Sequence, residues 1–314
     1  MASGLLCIGL TTVDIVARPI DRTDRIDRVV LIDGIEMAPA GTAAGTALVA
    51  AALGVDTALV GAVGADLKGR FVRMALDEGG VDTRLLATLA GRATSATLLG
   101  VTGGGGRLMF HALGAGHWAN VTSEAIERAA TARFVHWGGV GGVNLNGGPG
   151  EGLLRAAKAG GAVVTCDLIG PGPDALDELK RLLPHVDYFM PSAAEALALA
   201  GTDDLATAAG FFLALGAGSC VIKTGAEGSY LAQNERRIAI PAHAITPIDT
   251  TSCGDSYCAG FIAALDRDWP VAQACRFATA TASLVAQGLG TLGRLENFDA
   301  TEQAMHAMPL RNSV

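Results

Sequence analysis

A chain of 314 residues, half of them hydrophobic and 17% charged, is long enough for one large domain with an appendage, or for two domains. Its net charge of -8, with only four lysines among 23 basic residues, argues against a nucleic-acid surface and points to a small-molecule partner. No apolar run reaches membrane-spanning length, and the start Met-Ala-Ser-Gly-Leu-Leu-Cys has no basic flank, so no membrane association and a cytoplasmic location are expected.

In chain order, short apolar runs bounded by Gly, Pro or Asp recur as buried strands at 5–10, 57–61, 133–137, 162–166, 186–190 and 219–223. Between them lie helical patterns at 46–53, 69–78, 123–130, 152–159, 175–183 and 193–199. This alternation predicts an α/β fold: a mostly parallel central sheet covered by helices on both faces. Two stretches break it. Residues 17–37 have no helical stripe, and 94–101 with 107–111 read as a hairpin around Gly103-Gly-Gly-Gly106. Together they predict a small β-sheet lid over 17–37 and 93–117, leaving 1–16, 38–92 and 118–314 as the core. The lid's unpaired edges suggest a homodimer built through the lids.

The segment Asp249-Thr-Thr-Ser-Cys-Gly-Asp255 runs into an apolar-faced helix carrying Ala259, Ile262, Ala263 and Leu265. The first amides of a helix have no intrahelical partner and, with the helix dipole, favour an anion. Asp255 at the mouth of such a site reads either as an ordinary first-turn carboxylate or as a general base facing a phosphoryl group. Cys253 sits in the same loop, but no general base lies near it in sequence, so packing is the better account of its thiol. The six cysteines show no metal-ligand spacing, and the histidines are scattered. No P-loop, Gly-x-Ser-x-Gly or His-Glu-x-x-His occurs. Gly288-Leu-Gly-Thr-Leu-Gly293 matches a dinucleotide fingerprint, but it follows a helical run instead of a strand and reads as a loop closing that helix.

Six blocks in one order, from about residue 5 to about 292, resemble the ribokinase-like (PfkB) family of carbohydrate and nucleoside kinases. Asp14 matches an acidic residue after the first strand. Ala40-Gly41-Thr42-Ala-Ala-Gly45-Thr-Ala47 resembles the motif Gly-Gly-x-x-x-Asn-x-Ala, and Gly61-Ala-Val-Gly-Ala-Asp66 with Gly69 the block that follows it. Pro191-Ser192-Ala-Ala-Glu195 resembles Pro-Asn-x-x-Glu, and Thr224-Gly225-Ala-Glu-Gly228 a nucleotide loop. Asp-Thr-x-x-x-Gly-Asp at 249–255 is similar to the C-terminal signature.

The resemblance implies a three-layer αβα ribokinase-like core and ATP-dependent phosphorylation of a hydroxymethyl group on a sugar or sugar derivative. Asp255 is then the base, and residues Ser252, Cys253, Gly254 and Asp255 form the anion hole. Asp14, Gly41, Thr42 and Gly45 would meet the substrate, and Ser192, Glu195, Thr224, Gly225 and Gly228 the nucleotide. Glu195 would hold Mg2+ through water, while Asp249 and Thr251 would hold K+. Gly45 replaces the family's Asn, which implies extra room in the pocket. Ser192 replaces a second Asn, and Ser252 a customary Gly, which matters if the loop needs a positive φ there, where a serine would be strained. A nucleoside kinase and a non-catalytic metabolite-binding homologue are the alternatives on this fold. A nicotinamide oxidoreductase rests on 288–293 alone.

Overall fold

The computed structural model describes residues 4–21, 29–103 and 106–311. Strand β1 (Leu5–Gly9) is buried throughout: Leu5 and Cys7 join one hydrophobic cluster, Leu6 and Ile8 the other. A strand apolar on both faces is what a parallel sheet with two helical layers requires. The chain then leaves for β2 (Thr12–Arg18) and β3 (Gly34–Ala40), and returns through α1 (Ala44–Ala52), β4 (Thr57–Gly64) and α2 (Leu67–Glu78). Short strands β5 (Val81–Asp82) and β6 (Leu86–Leu89) lead to β7 (Ala96–Val101) and β8 (Arg107–Ala112).

Regular alternation follows through α3 (Ser123–Ala129), β9 (Phe134–Val140), α4 (Pro149–Ala159), β10 (Val163–Leu168), α5 (Ala175–Leu182), β11 (Tyr188–Phe189), α6 (Ala193–Ala200) and α7 (Leu205–Ala214). Strand β12 (Ser219–Lys223) precedes a hairpin of β13 (Ser229–Gln233) and β14 (Arg236–Ile240), and the chain closes with α8 (Cys253–Asp266), α9 (Val271–Val285) and α10 (Phe298–Ala307).

The central sheet runs β14-β13-β12-β11-β10-β9-β1-β4-β5, with β6 beside β4. It is parallel except for the β13 and β14 pairings. One face packs on α1, α2, α8, α9 and α10, the other on α3 to α7. This is the expected three-layer ribokinase-like architecture.

A second sheet, β3-β2-β7-β8, forms the small lid. Its strands reach beyond the expected boundaries, since pairing starts at Thr12↔Ala40, so that 12–16 and 38–40 belong to the lid sheet. Only Leu10 and Thr11 separate β1 from β2, with no turn residue to mark the change of sheet. Part of the 17–37 stretch, residues 22–28, lies outside the described residues. Asp14, after the first strand as expected, lies within β2. Asp66 fixes the lid to the core: its carboxylate accepts from Gly69 N at 2.9 Å, at the start of α2, and from Thr94 N at 3.0 Å, two residues before β7.

Candidate active site

The first residues of α8 share a cleft with Leu168 and Lys223 at the carboxyl ends of β10 and β12, and the entry to the helix is built by the loop before it. Asp249 Oδ1 accepts from Thr251 N at 2.9 Å and from Thr251 Oγ1 at 2.6 Å. Ile248 N and Asp249 N both donate to Ala286 O, at 2.7 and 3.2 Å, which pins this loop to the end of α9. Ser252 then turns the chain with φ of 58°, in the left-handed region where a serine costs about 1 kcal/mol or more. Its carbonyl accepts from Ser256 N at 2.8 Å. The loop thus does need a positive φ at 252, and the strain is held by the bonds on either side. Among the described residues, the amides of Cys253, Gly254 and Asp255 have no acceptor in the chain.

These amides face a cleft of about 1030 Å³. Asp255, Gly254 and Cys253 line it, together with Ser192, Glu195, Gly225 and Gly228. Asp249, Thr251, Ser252 and Thr224 stand behind that lining. Burial pushes the Asp255 carboxyl up to about 7, with Asp167 adding to the rise and Lys223 opposing it; Asp14 and Glu195 add further. Burial pushes the Cys253 thiol up to about 12, and its Sγ faces Ala282 O at 3.6 Å. A neutral, packed thiol is no nucleophile. Glu195 caps α6 in a box with Ser192: Oε2 accepts from Ser192 N at 2.8 Å and from Ser192 Oγ at 2.6 Å. The serine thus retains a hydroxyl that orients the carboxylate.

On the other side of Asp255 lie the residues expected to meet a substrate. The room expected at Gly45 is absent. A Cβ at this position would fall 2.9 Å from Asp255 Oδ2 and 3.3 Å from its Cβ, so the carboxyl of Asp255 occupies the space that a missing side chain suggested. Gly41 has φ of 101°, and a Cβ there would meet Leu10 O at 2.6 Å. Thr42 Oγ1 donates to Gly138 O at 2.5 Å. Asp14 is 7% exposed, and one of its oxygens, Oδ1, has no partner. Burial pushes it up to about 6, a hydrogen bond from Thr97 opposes the rise, and Asp249 adds to it. The lid register places Ala38, Asp14, Thr97 and His111 in one row, with Thr97 Oγ1 3.0 Å from His111 Nδ1.

Several cleft residues had no motif to announce them: Asp167, Lys223, Arg107 from the lid, and Tyr257. Asp167 and Lys223 do sit at the carboxyl ends of β10 and β12, the edge where ligands of parallel sheets collect. Trp137 and His136 are buried in the core. The loop at 288–293 closes α9, with Gly293 at φ of 51°.

The model of the pfkB family carbohydrate kinases matches residues 2–297. A nucleoside kinase of Methanothermobacter thermautotrophicus is 27% identical over 293 residues, covering 91% of this chain and 90% of its own length. The structure of Arabidopsis thaliana ribokinase complexed with ribose and ATP superposes with a TM-score of 0.79 at 24% identity, covering 97% and 99% of the two chains. A ribokinase-assigned Escherichia coli protein in complex with ATP and Mg2+ gives 0.81 at 22% identity, with coverage of 97% and 99%.

The raised carboxyl of Asp255 makes a stability prediction of definite sign. Its folded value near 7 exceeds the ordinary 3.8, so the folded state holds this proton more tightly than the unfolded chain. The wild type therefore loses stability relative to Asp255→Asn as pH rises from about 4 to about 7, and the gap is constant above. Thermal melts of the two proteins should show the variant higher at pH 8, with the difference shrinking toward pH 4.

Proposed function

The chain belongs to the pfkB family of carbohydrate kinases, and on that premise we propose that it transfers the γ-phosphate of ATP to a hydroxymethyl group of a sugar or sugar derivative, with Asp255 as the base. The observation that carries this reading is the placement of a carboxylate with raised proton affinity in the first turn of α8, beside three amides with no internal acceptor. Asp255 takes the proton of the attacking hydroxyl, while the amides of Cys253 to Asp255 and the helix N-terminus stabilise charge on the transferred group. The unpartnered Oδ1 of Asp14 accepts a substrate hydroxyl. Gly225 and Gly228 bring backbone close to the nucleotide, and the lid excludes water that would otherwise compete as acceptor.

Glu195 fits a magnesium site held through water, because Ser192 fixes one carboxylate oxygen and leaves the other for a solvent ligand. The ion would neutralise charge on the phosphates. Replacing the base while keeping its shape, Asp255→Asn, should lower kcat by about 10²- to 10⁴-fold in a coupled assay of ADP release. In the wild type, kcat should fall as pH drops through about 7, since the carboxyl must be ionised to act. A screen of pentoses, hexoses, aldonates and nucleosides for ADP release identifies the acceptor and tests the nucleoside alternative. A chain that binds nucleotide and sugar yet releases ADP with none of them would be the non-catalytic homologue.

The loop behind the anion hole fits a monovalent cation. Asp249 is 2% exposed, and its Oδ2 is buried without a partner, an arrangement a buried carboxylate keeps only at a cost. With Thr251 and carbonyls near Ala286, it would hold K+. Potassium, compared with tetramethylammonium at equal ionic strength, should raise the melting temperature of the wild type and leave that of Asp249→Asn unchanged.

The outer face of the lid supports a homodimer. Register puts Met37, Ile15, Leu98 and Phe110 in one row and Ile35, Ala17, Gly100 and Leu108 in the next. Ile35 is 67% and Phe110 60% exposed, a contiguous apolar surface of the kind that marks an interface. Light scattering should give twice the chain mass for the wild type and the single-chain mass for Phe110→Lys. The enzyme belongs in the cytoplasm, a reducing compartment where its six free cysteines stay thiols.

A further inference from the structure

Lys223 ends β12, and its side chain is only 11% exposed, whereas the two arginines lining the same cleft, Arg107 and Arg311, are on the surface. Its ammonium lies 2.5 Å from Asp167 Oδ2 and 3.8 Å from Cys258 Sγ, and Cys258 Sγ is itself 3.5 Å from the same carboxylate oxygen. The other oxygen of Asp167 accepts from Leu168 N at 2.9 Å. Both oxygens of Asp167 are thereby engaged, and its work is to hold Lys223. An ammonium has three donors, of which these contacts use two. A Cβ on Gly254 would stand 3.4 Å from Lys223 Nζ, which places the ammonium at contact distance from the second residue of α8.

We propose that Lys223 donates its remaining N–H to the terminal phosphoryl group of the nucleotide, completing the anion hole of α8 with an ammonium held in place by Asp167. This rests on the kinase reading given above. For Asp255 to take a hydroxyl proton while the amides of Cys253 to Asp255 hold the phosphoryl group, that group must lie over the first turn of α8, where Lys223 already reaches. The pair also accounts for Gly254, whose backbone has no need of a left-handed conformation. A Cβ there would lie in ordinary contact with Nζ, and a longer side chain would compete for the space that the proposal gives to the phosphoryl group. An ion pair of this kind adds little to stability on its own. Its value is that the ammonium is ordered before the nucleotide arrives, so no side-chain freedom is lost on binding. Burial works against the Lys223 charge, but Asp167 outweighs it and keeps the ammonium protonated throughout the working range.

The test compares the binding of AMP-PNP and ADP by calorimetry with Mg2+ at pH 9, where Asp255 is ionised, so that changes in its proton affinity do not enter. The wild type should prefer the triphosphate analogue. Lys223→Met should lose roughly tenfold or more of that preference while binding ADP nearly as well, and Lys223→Arg should recover part of it. The double variant Asp167→Asn/Lys223→Met leaves no unpaired buried charge, and it should melt near the wild type and lose the preference equally. A wild type without the preference, or either Met variant that keeps it, overturns the contact. Failure of the wild type to bind both nucleotides overturns the kinase reading itself.

Discussion

On the proposed function, the carboxylate of Asp255 is held where three demands meet: contact with the acceptor, a place beside the amides of α8, and a proton affinity near neutral pH. The first turn of a helix stabilises negative charge and by itself would make the group a weak base. Recession into the cleft, with Asp167, Asp14 and Glu195 nearby, reverses that tendency. Gly45 allows the carboxyl to lie against the backbone of α1, and the left-handed Ser252 aims the helix so that amides and carboxylate share one space. Each of these features is unfavourable to the empty protein. They persist because the sheet, α1, α8 and α9 are packed tightly enough to impose them.

The acids around this centre are not equivalent. Asp167 has both oxygens engaged, by Lys223 and by Leu168 N. Glu195 has one oxygen committed to Ser192. Asp14 and Asp249 each keep a buried oxygen with no partner. Buried polar atoms are nearly always satisfied in a folded protein, so two orphan carboxylate oxygens in one neighbourhood call for partners from outside the chain. The functional reading supplies them: a substrate hydroxyl for Asp14 and a cation for Asp249. The same accounting separates Asp167 from the others, because a carboxylate with no free oxygen acts through what it holds.

Much of this arrangement was legible in the sequence, and the limits have physical causes. Parallel strands buried on both faces stand out as apolar runs, so β1, β4, β9, β10 and β12 were evident. The signature at 249–255 also announced its loop. The hairpin of β13 and β14 was missed because Arg236 and Arg237 interrupt its alternation, and α7 because its Leu-Ala-Thr-Ala-Ala-Gly-Phe-Phe stretch, apolar but for one threonine, shows little of a one-sided stripe. The passage from β1 to β2 carries no turn residue, which hid the lid's true start at Thr12. Gly45 was misread as open space because a sequence shows which side chain is missing, not which neighbour moves in. Lys223 and Asp167 belong to no motif and acquire meaning only when β10 and β12 are brought beside α8.

The lid joins the two remaining functions through strand geometry. Side chains alternate along each strand, so the polar row of Asp14, Thr97 and His111 faces one side, and the adjacent row of Ile15, Leu98 and Phe110 faces the other. A slip of one residue in the pairing of β7 with β8 would exchange these faces, carrying Phe110 toward the face of Asp14 and His111 toward the outer surface. The apolar outer rows therefore do more than offer a contact to a second copy. If a second copy covers them as proposed, that contact also stabilises the one register in which Asp14 and Thr97 share a face, so the proposed assembly and the proposed substrate contact rest on the same pairing.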